Sequence, residues 1–261
     1  MRIKPKKSLG QNFLIDKNIQ RKIIDSCGFT HSDIVLEIGS GRGDLTEQII
    51  PRVKKLYALE IDANLCSLLE EKFSEFKNIE IIKEDILKFD FKKHFSSKVK
   101  VIGNIPYYIS SPIIERLVDY REIIKAIFLT VQKEFACRMR ALPGSKDYGS
   151  FSCFVQFYLE PEILFDIKKG SFLPQPKVDS SFLRLEVREK RILYGKNEEL
   201  LFRITRAAFN KRRKTLRNSL EGLISEQQLR EFFTKFHIDP NTRPERLSLQ
   251  DFANLALIKN N

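Results

Sequence analysis

Five short aliphatic runs recur through the first half of the chain, each separated from the next by a segment of helical character, and this alternation restricts the fold more than any other feature. The runs are Ile34–Ile38, Leu56–Ile61, Ile79–Lys83, Val99–Gly103 and Ala126–Val131. Such a pattern specifies an α/β fold, a parallel sheet with helices on both faces. Between the second and third runs, Leu65, Leu68, Leu69 and Phe73 share one helical face. Two later runs, EILFDI (Glu162–Ile167) and SFLRLEV (Ser181–Val187), flank the loop KKGSFLPQPKVDS and predict a hairpin-like closing pair of strands. From about Lys196 the β-type runs stop, and Pro and Gly become sparse apart from DPNTRPE. The expected organisation is a sheet domain over 1–190, with a basic N-terminal arm, followed by a small helical domain over 191–261.

A chain of 261 residues with a formal net charge of +12 has a surface that gathers polyanions. The charge is concentrated. Arg203, Arg206, Lys211, Arg212, Arg213, Lys214 and Arg217 fall between Leu201 and Leu220 with no acid among them, which favours a nucleic-acid backbone over a generic basic surface. At about 100° per residue, Leu201, Phe209 and Leu216 cluster on one side of a helix while Arg203, Asn210, Lys214 and Arg217 occupy an adjacent arc, an arrangement that a break near Asn210–Lys211 would spoil without changing the charge density. No apolar run approaches the roughly 18 residues of a membrane helix, and the basic start has no apolar segment behind it, so no membrane association and a cytoplasmic location are expected. Cys27, Cys66, Cys137 and Cys153 are widely spaced, without a C-x-x-C pair. They are expected to be reduced and partly buried, with no metal site.

The stretch DIVLEIGSGRGDLTEQI passes from a strand through Gly39, Gly41 and Gly43 into a helix. Glycines there let the chain turn tightly and let a ligand touch the backbone. The G-x-G-x-G spacing differs from the G-x-G-x-x-G of pyrophosphate-binding dinucleotide folds, which argues against NAD or FAD. Glu60 ends the second strand about twenty residues later, where a carboxylate can accept from both hydroxyls of a ribose. Asp85, closing the third strand, either meets the exocyclic amine of an adenine or caps the following helix. These elements describe a pocket for an adenosine without a diphosphate. S-adenosylmethionine (SAM) fits it.

The fourth strand runs into GNIPYYISSP, and with EIGSGRG, Glu60 and Glu84–Asp85 the segment NIPY (Asn104–Tyr107) resembles, in order and spacing, the SAM-dependent rRNA adenine N6-dimethyltransferases. KKSLGQNFL near the N-terminus, FLPQPKVDS (Phe172–Ser180), AFNKRRKTLRNSL and RPERLSLQDFANL extend the resemblance over nearly the whole chain. It is closest to the bacterial small-subunit (16S) branch. That resemblance implies a Rossmann-like methyltransferase sheet and methylation of two adjacent adenines near the 3′ end of 16S rRNA. The extent of the basic surface suits a structured RNA in a pre-small-subunit particle, and a monomer is expected. The resemblance also implies that Asn12 and Leu14 contact SAM, and that Phe172 covers the target base.

Adenine N6 is a poor nucleophile because its lone pair is delocalised into the ring. Asn104, through its side-chain oxygen, and a backbone carbonyl near Ile105 accept its two N–H bonds and turn the lone pair toward the methyl. Asn104 thereby also stands beside the cofactor. Pro106 stiffens the loop that aims the carbonyl, and Tyr107 stacks on the base, a contact of roughly 1–3 kcal/mol. Tyr108 is expected to be core filler.

Overall fold

In the computed structural model, residues 5–6, 9–211 and 213–260 are described. The alternating runs form the predicted sheet: β2 (Ile34–Ile38), β3 (Lys55–Glu60), β4 (Ile79–Lys83), β5 (Val99–Asn104), β6 (Ile124–Gln132), β7 (Leu159–Ile167) and β9 (Ser180–Val187). A miniature second sheet pairs β1 (Phe13–Leu14) with β8 (Phe172–Leu173). The helices are α1 (Lys17–Ser26), α2 (Thr46–Ile49), α3 (Ala63–Lys72), α4 (Phe91–His94), α5 (Ser110–Asp119), α6 (Lys133–Arg140), α7 (Ser150–Tyr158), α8 (Lys196–Asn210), α9 (Leu216–Ser219), α10 (Glu226–Lys235) and α11 (Leu249–Asn260).

The chain divides into two compact units, the first comprising residues 1–136 and 162–187. Its main sheet has the order β4-β3-β2-β5-β6-β9-β7. β2 to β6 are parallel, and β9 joins β6 antiparallel. The continuous apolar runs are explained by burial on both faces: Val35, Leu36, Leu56, Val101, Ile102, Ile127 and Leu129 are fully covered. From β2 the chain steps outward to β3 and β4, then returns to the other side of β2 as β5. That reversal leaves a crevice beyond the carboxyl ends of β2 and β5, the place where open α/β sheets bind ligands.

The second unit comprises residues 137–161 and 188–261, so the segment from Cys137 to Pro161, which the sequence places with the sheet domain, groups with the C-terminal helices. Aromatic packing accounts for this. Phe154, Phe157 and Tyr158 of α7 lie 5.2–5.6 Å, ring to ring, from Phe202 of α8, and Tyr148 meets Phe209 edge-on at 5.7 Å. Hydrophobic periodicity identifies such segments as helical but cannot say which core they join. Phe209 also packs on Phe252 of α11, and Ser225 and Gln228 close a reciprocal capping box at the start of α10. One helix does not run on to residue 216: α8 stops at Asn210, where Lys211 leaves helical geometry at φ −116°, ψ 44°. Leu216 is buried on the separate helix α9.

Candidate active site

The loop after β2 turns over the end of β3, with the Gly39 amide donating to the Leu59 carbonyl at 2.8 Å. Gly39 and Gly41 have φ of +71° and +57°, the left-handed region that side chains disfavour, and a Cβ on Gly41 would lie 3.2 Å from the Phe13 ring. The turn aims the Gly41 N–H at Glu60 Oε2, 2.9 Å away. Glu60 Oε1 accepts from the amides of Ile61 at 2.9 Å and Asp62 at 3.0 Å. Three backbone donors thus fix this buried carboxylate at the tip of β3, and its remaining acceptor capacity lies mainly on Oε2. Beneath it, Glu37 of β2 is buried and accepts from the Thr46 hydroxyl at 2.6 Å. Burial pushes its carboxyl up to about 7, against the Thr46 hydrogen bond and with help from the nearby Glu60 charge.

Asn104 ends β5 on the other side of the crevice. Its side-chain amide donates to the Asn12 carbonyl at 2.8 Å, which leaves the side-chain oxygen available as an acceptor. Asn12 belongs to the N-terminal arm, which β1 ties to β8 in the register Phe13↔Leu173 and Leu14↔Phe172. Tyr107 is half-buried and shares a 2.6 Å hydrogen bond with the Ser180 hydroxyl. Burial raises its phenol above the ordinary range, partly offset by that bond, so it stays neutral and ring-fixed. Tyr108 is not core filler: it is 63% exposed. The tight helical turn Tyr107–Ile109 sends consecutive side chains to different sides, so burying Tyr107 exposes its neighbour.

A single cleft is lined by Gly10, Gln11, Asn12, Phe13, Gly39, Gly41, Glu60, Asn104, Ile105, Pro106 and Tyr107. The cleft is partly open to solvent. Seven of the residues singled out from sequence therefore meet in one place: Asn12, Gly39, Gly41, Glu60, Asn104, Pro106 and Tyr107. Three do not join this lining. Leu14 and Phe172 are 4% and 2% exposed and belong to the hydrophobic core under the arm. Asp85 uses Oδ1 to accept from the Leu87 amide at 3.0 Å, which fixes the turn after β4 and is not a helix cap, since the next helix, α4, is capped by Asp90; Oδ2 is left open. Gln11 and Phe13 were missed as lining residues, although the polar-aromatic pair beside a glycine in LGQNF signals a loop pressed on a site. The Arg42 guanidinium covers the Phe13 ring at 4.7 Å.

A positively turned glycine loop, an anchored strand-end carboxylate and an orphan amide oxygen fit SAM, since they offer acceptors to hydroxyls and no cradle for a diphosphate. Comparison with known proteins agrees. The family described as Ribosomal RNA adenine dimethylase matches residues 2–261. The chain belongs to that family. It is 46% identical over 260 residues to Ribosomal RNA small subunit methyltransferase A of Caldanaerobacter subterraneus subsp. tengcongensis, covering 97% of each chain. Among solved structures, a dimethyladenosine transferase from Plasmodium falciparum superposes with a TM-score of 0.80 at 29% identity, over 95% of this chain and 97% of that one. The 23S rRNA methyltransferase ErmE shares the fold, with a TM-score of 0.77 at 24% identity over 96% of this chain and all of the other. Members of the ribosomal RNA adenine dimethylase family are SAM-dependent enzymes, and this chain is accordingly an rRNA adenine dimethyltransferase with SAM as its methyl donor.

In the second unit Arg203, Arg206, Lys211, Arg213, Lys214 and Arg217 are all exposed. Lys211, Arg213 and Lys214 border a shallow hollow with Phe209 and Asn210. Arg217 differs from them in pairing with Glu226 at 3.1 Å. Arg212 lies outside the described residues. Among those described, no helix is long and apolar enough to cross a membrane. Cys27, Cys66 and Cys153 are buried and Cys137 is half-buried, and burial pushes the Cys66 and Cys153 thiols up to about 11 and 12, which keeps them un-ionised.

Proposed function

We propose that this enzyme dimethylates N6 of two adjacent adenines near the 3′ end of small-subunit (16S) rRNA, acting on an assembling small-subunit particle. The observation that carries the site assignment is the Asn12–Asn104 hydrogen bond: it uses the Asn104 amide group and leaves the oxygen as an acceptor at the rim of the cofactor cleft. The relatives at 39–46% identity are named for the small-subunit rRNA. This supports the choice of RNA. The resemblance of the motif set supports the adjacent adenines.

The Asn104 oxygen accepts one N–H of adenine N6, and a backbone carbonyl of the Asn104–Pro106 turn accepts the other, which draws the nitrogen toward a tetrahedral shape. Pro106 holds that turn. Tyr107, its ring fixed through Ser180, lies flat against the base. Glu60, Gly39 and Gly41 hold the nucleoside half of the donor, with Asp85 Oδ2 offered to its exocyclic amine. Bound SAM supplies an electrophilic methyl group on a sulfonium. Alignment then does most of the work. No strong base is needed, because the alkylated amine is acidic enough to release its proton to water or to the Asn104 oxygen. A monomethylated amine keeps a lone pair and one N–H, so it can turn and be presented again. Leu14 and Phe172 support this arrangement from the core, with Phe172 backing the arm behind the base.

Arg203, Arg206, Lys211, Arg213, Lys214 and Arg217, together with Arg212, hold the rRNA backbone, a sequence-indifferent grip that leaves selection to RNA shape and to an unpaired adenine reaching the cleft. Action as a monomer is part of this reading. A cytoplasmic site of action fits assembly on nascent subunits. The test is incubation with labelled SAM and small subunits lacking the modification, followed by nuclease mapping. Label in two adjacent adenines near the 3′ end is expected, and label elsewhere refutes the assignment.

A further inference from the structure

Asp62 belongs to no binding motif, yet its side chain is wholly covered and faces the N-terminal arm. It stands two residues beyond Glu60, at the start of α3. Oδ1 accepts from the Lys6 ammonium at 2.7 Å and from the Asn64 amide at 3.1 Å, the latter capping the helix. Oδ2 accepts from the Gln11 side chain at 3.4 Å. Gln11 in turn receives the Lys6 amide on its own side-chain oxygen at 2.8 Å. Lys6 and Gln11 are thus fastened both to each other and to one buried carboxylate. Burial alone would raise that carboxyl, but the donors around it, Lys6 first, hold it below the usual carboxylate range, so it remains charged.

The fastening continues into the cleft. Gln11 precedes Asn12, whose own side chain closes onto the Gly10 carbonyl at 3.1 Å and whose backbone carbonyl receives the Asn104 amide at 2.8 Å. Cβ–Cγ rotation of Asn104 by half a turn would exchange its oxygen and nitrogen, presenting a donor to a substrate amine that needs an acceptor. The acceptor at Asn12 opposes this. A helix cap needs one oxygen and one backbone amide, so capping accounts for the Asn64 contact and leaves those to Lys6 and Gln11 without a purpose in α3 itself.

We propose that Asp62 is a positioning residue for methyl transfer: by pinning Lys6 and Gln11 it holds the Asn12 carbonyl in place, and so keeps the Asn104 oxygen facing the target amine. This rests on the assignment of Asn104 above. The effect is on orientation, so it appears in the rate of transfer and not in cofactor affinity.

The test uses the full chain with Asp62→Asn, which still caps α3, and with Lys6→Met, which leaves Asp62 itself intact. Single-turnover methylation of unmodified small subunits and calorimetric binding of SAM are measured for each, alone and combined with Asn104→Ala. Either change is expected to slow transfer by about tenfold, the scale of one charge-assisted hydrogen bond, with SAM affinity within about twofold. Added to Asn104→Ala, neither is expected to slow it further. If Asn104→Ala is slow but Lys6→Met transfers at the parental rate, or if Lys6→Met costs as much in the Asn104→Ala background, the role of Asp62 is overturned while the site stands. If Asn104→Ala itself transfers at the parental rate, both fall.

Discussion

The cleft of the first unit and the basic run of the second hold their polar groups in opposite ways. In the cleft, Glu60 is fixed by three backbone amides, Asn104 by the Asn12 carbonyl and Tyr107 by Ser180. In the second unit the cations are exposed, and Arg217 alone of those described has a recorded acidic partner, Glu226. Methyl transfer needs one atom placed to within a fraction of an ångström, which buried, backbone-anchored side chains at strand ends provide. Gripping a phosphate chain needs charge density and tolerates loose geometry. Substitutions in the first region should therefore act singly and steeply, and those in the second diffusely and with salt.

The steepest expected loss is for Asn104→Ala, which should cut single-turnover methyl transfer on the order of 100-fold or more while calorimetry finds SAM bound about as well as before. A rate near the parent's would remove the contrast altogether. Next is Glu37. Its folded carboxyl sits near 7 against 4.5 for the free group, so between those values the unfolded chain gives up a proton that the folded one keeps. Glu37's own contribution to stability is then fully present below about pH 4.5, is lost as pH rises, and is gone above about 7, a difference of about 3 kcal/mol. Urea unfolding of the parent and of Glu37→Gln across that range should show the parent's stability relative to the variant falling by that amount as pH rises. A smaller effect is expected for Glu60→Ala, about 10- to 100-fold weaker SAM binding by calorimetry from lost charge-assisted hydrogen bonds. The smallest effect per residue belongs to the tail. Neutralising Lys211, Arg213 and Lys214 should lower the log–log salt slope of RNA binding by up to about 3, by analogy with duplex DNA. A steep loss from any one of them would blur the distinction.

Much of the first region was legible in the sequence because its constraints are local. The central β-type runs are buried on both faces and the half-exposed edge strand β4 keeps its aliphatic character, so the strands stood out, and the glycine loop and strand-end residues follow from the topology those strands impose. The registry of the arm was not legible. The pairing of Phe13 and Leu14 with Leu173 and Phe172 joins segments about 160 residues apart through two-residue strands, too short to carry a period-2 signal. For the same reason the burial of Phe172, the anchoring of Asn104 by Asn12 and the placing of Gln11 and Phe13 in the cleft could not be read from spacing. In the second region composition revealed the cations but not their arrangement. The break after Asn210 depends on how Leu216 and Phe209 each reach the helical core, and no glycine or proline marks it.

The most direct test is nucleoside mass spectrometry of unmodified small subunits, treated over a range of subunit concentrations with the parent, with Asn104→Ala and with the chain neutralised at Lys211, Arg213 and Lys214. The parent should yield N6,N6-dimethyladenosine. The neutralised chain should reach the same product once subunit concentration is raised, and Asn104→Ala should fall far short at every concentration. A parent product that stops at monomethyladenosine, or an Asn104→Ala enzyme restored by more substrate, would contradict the division between a cleft that does the chemistry and a basic face that holds the RNA.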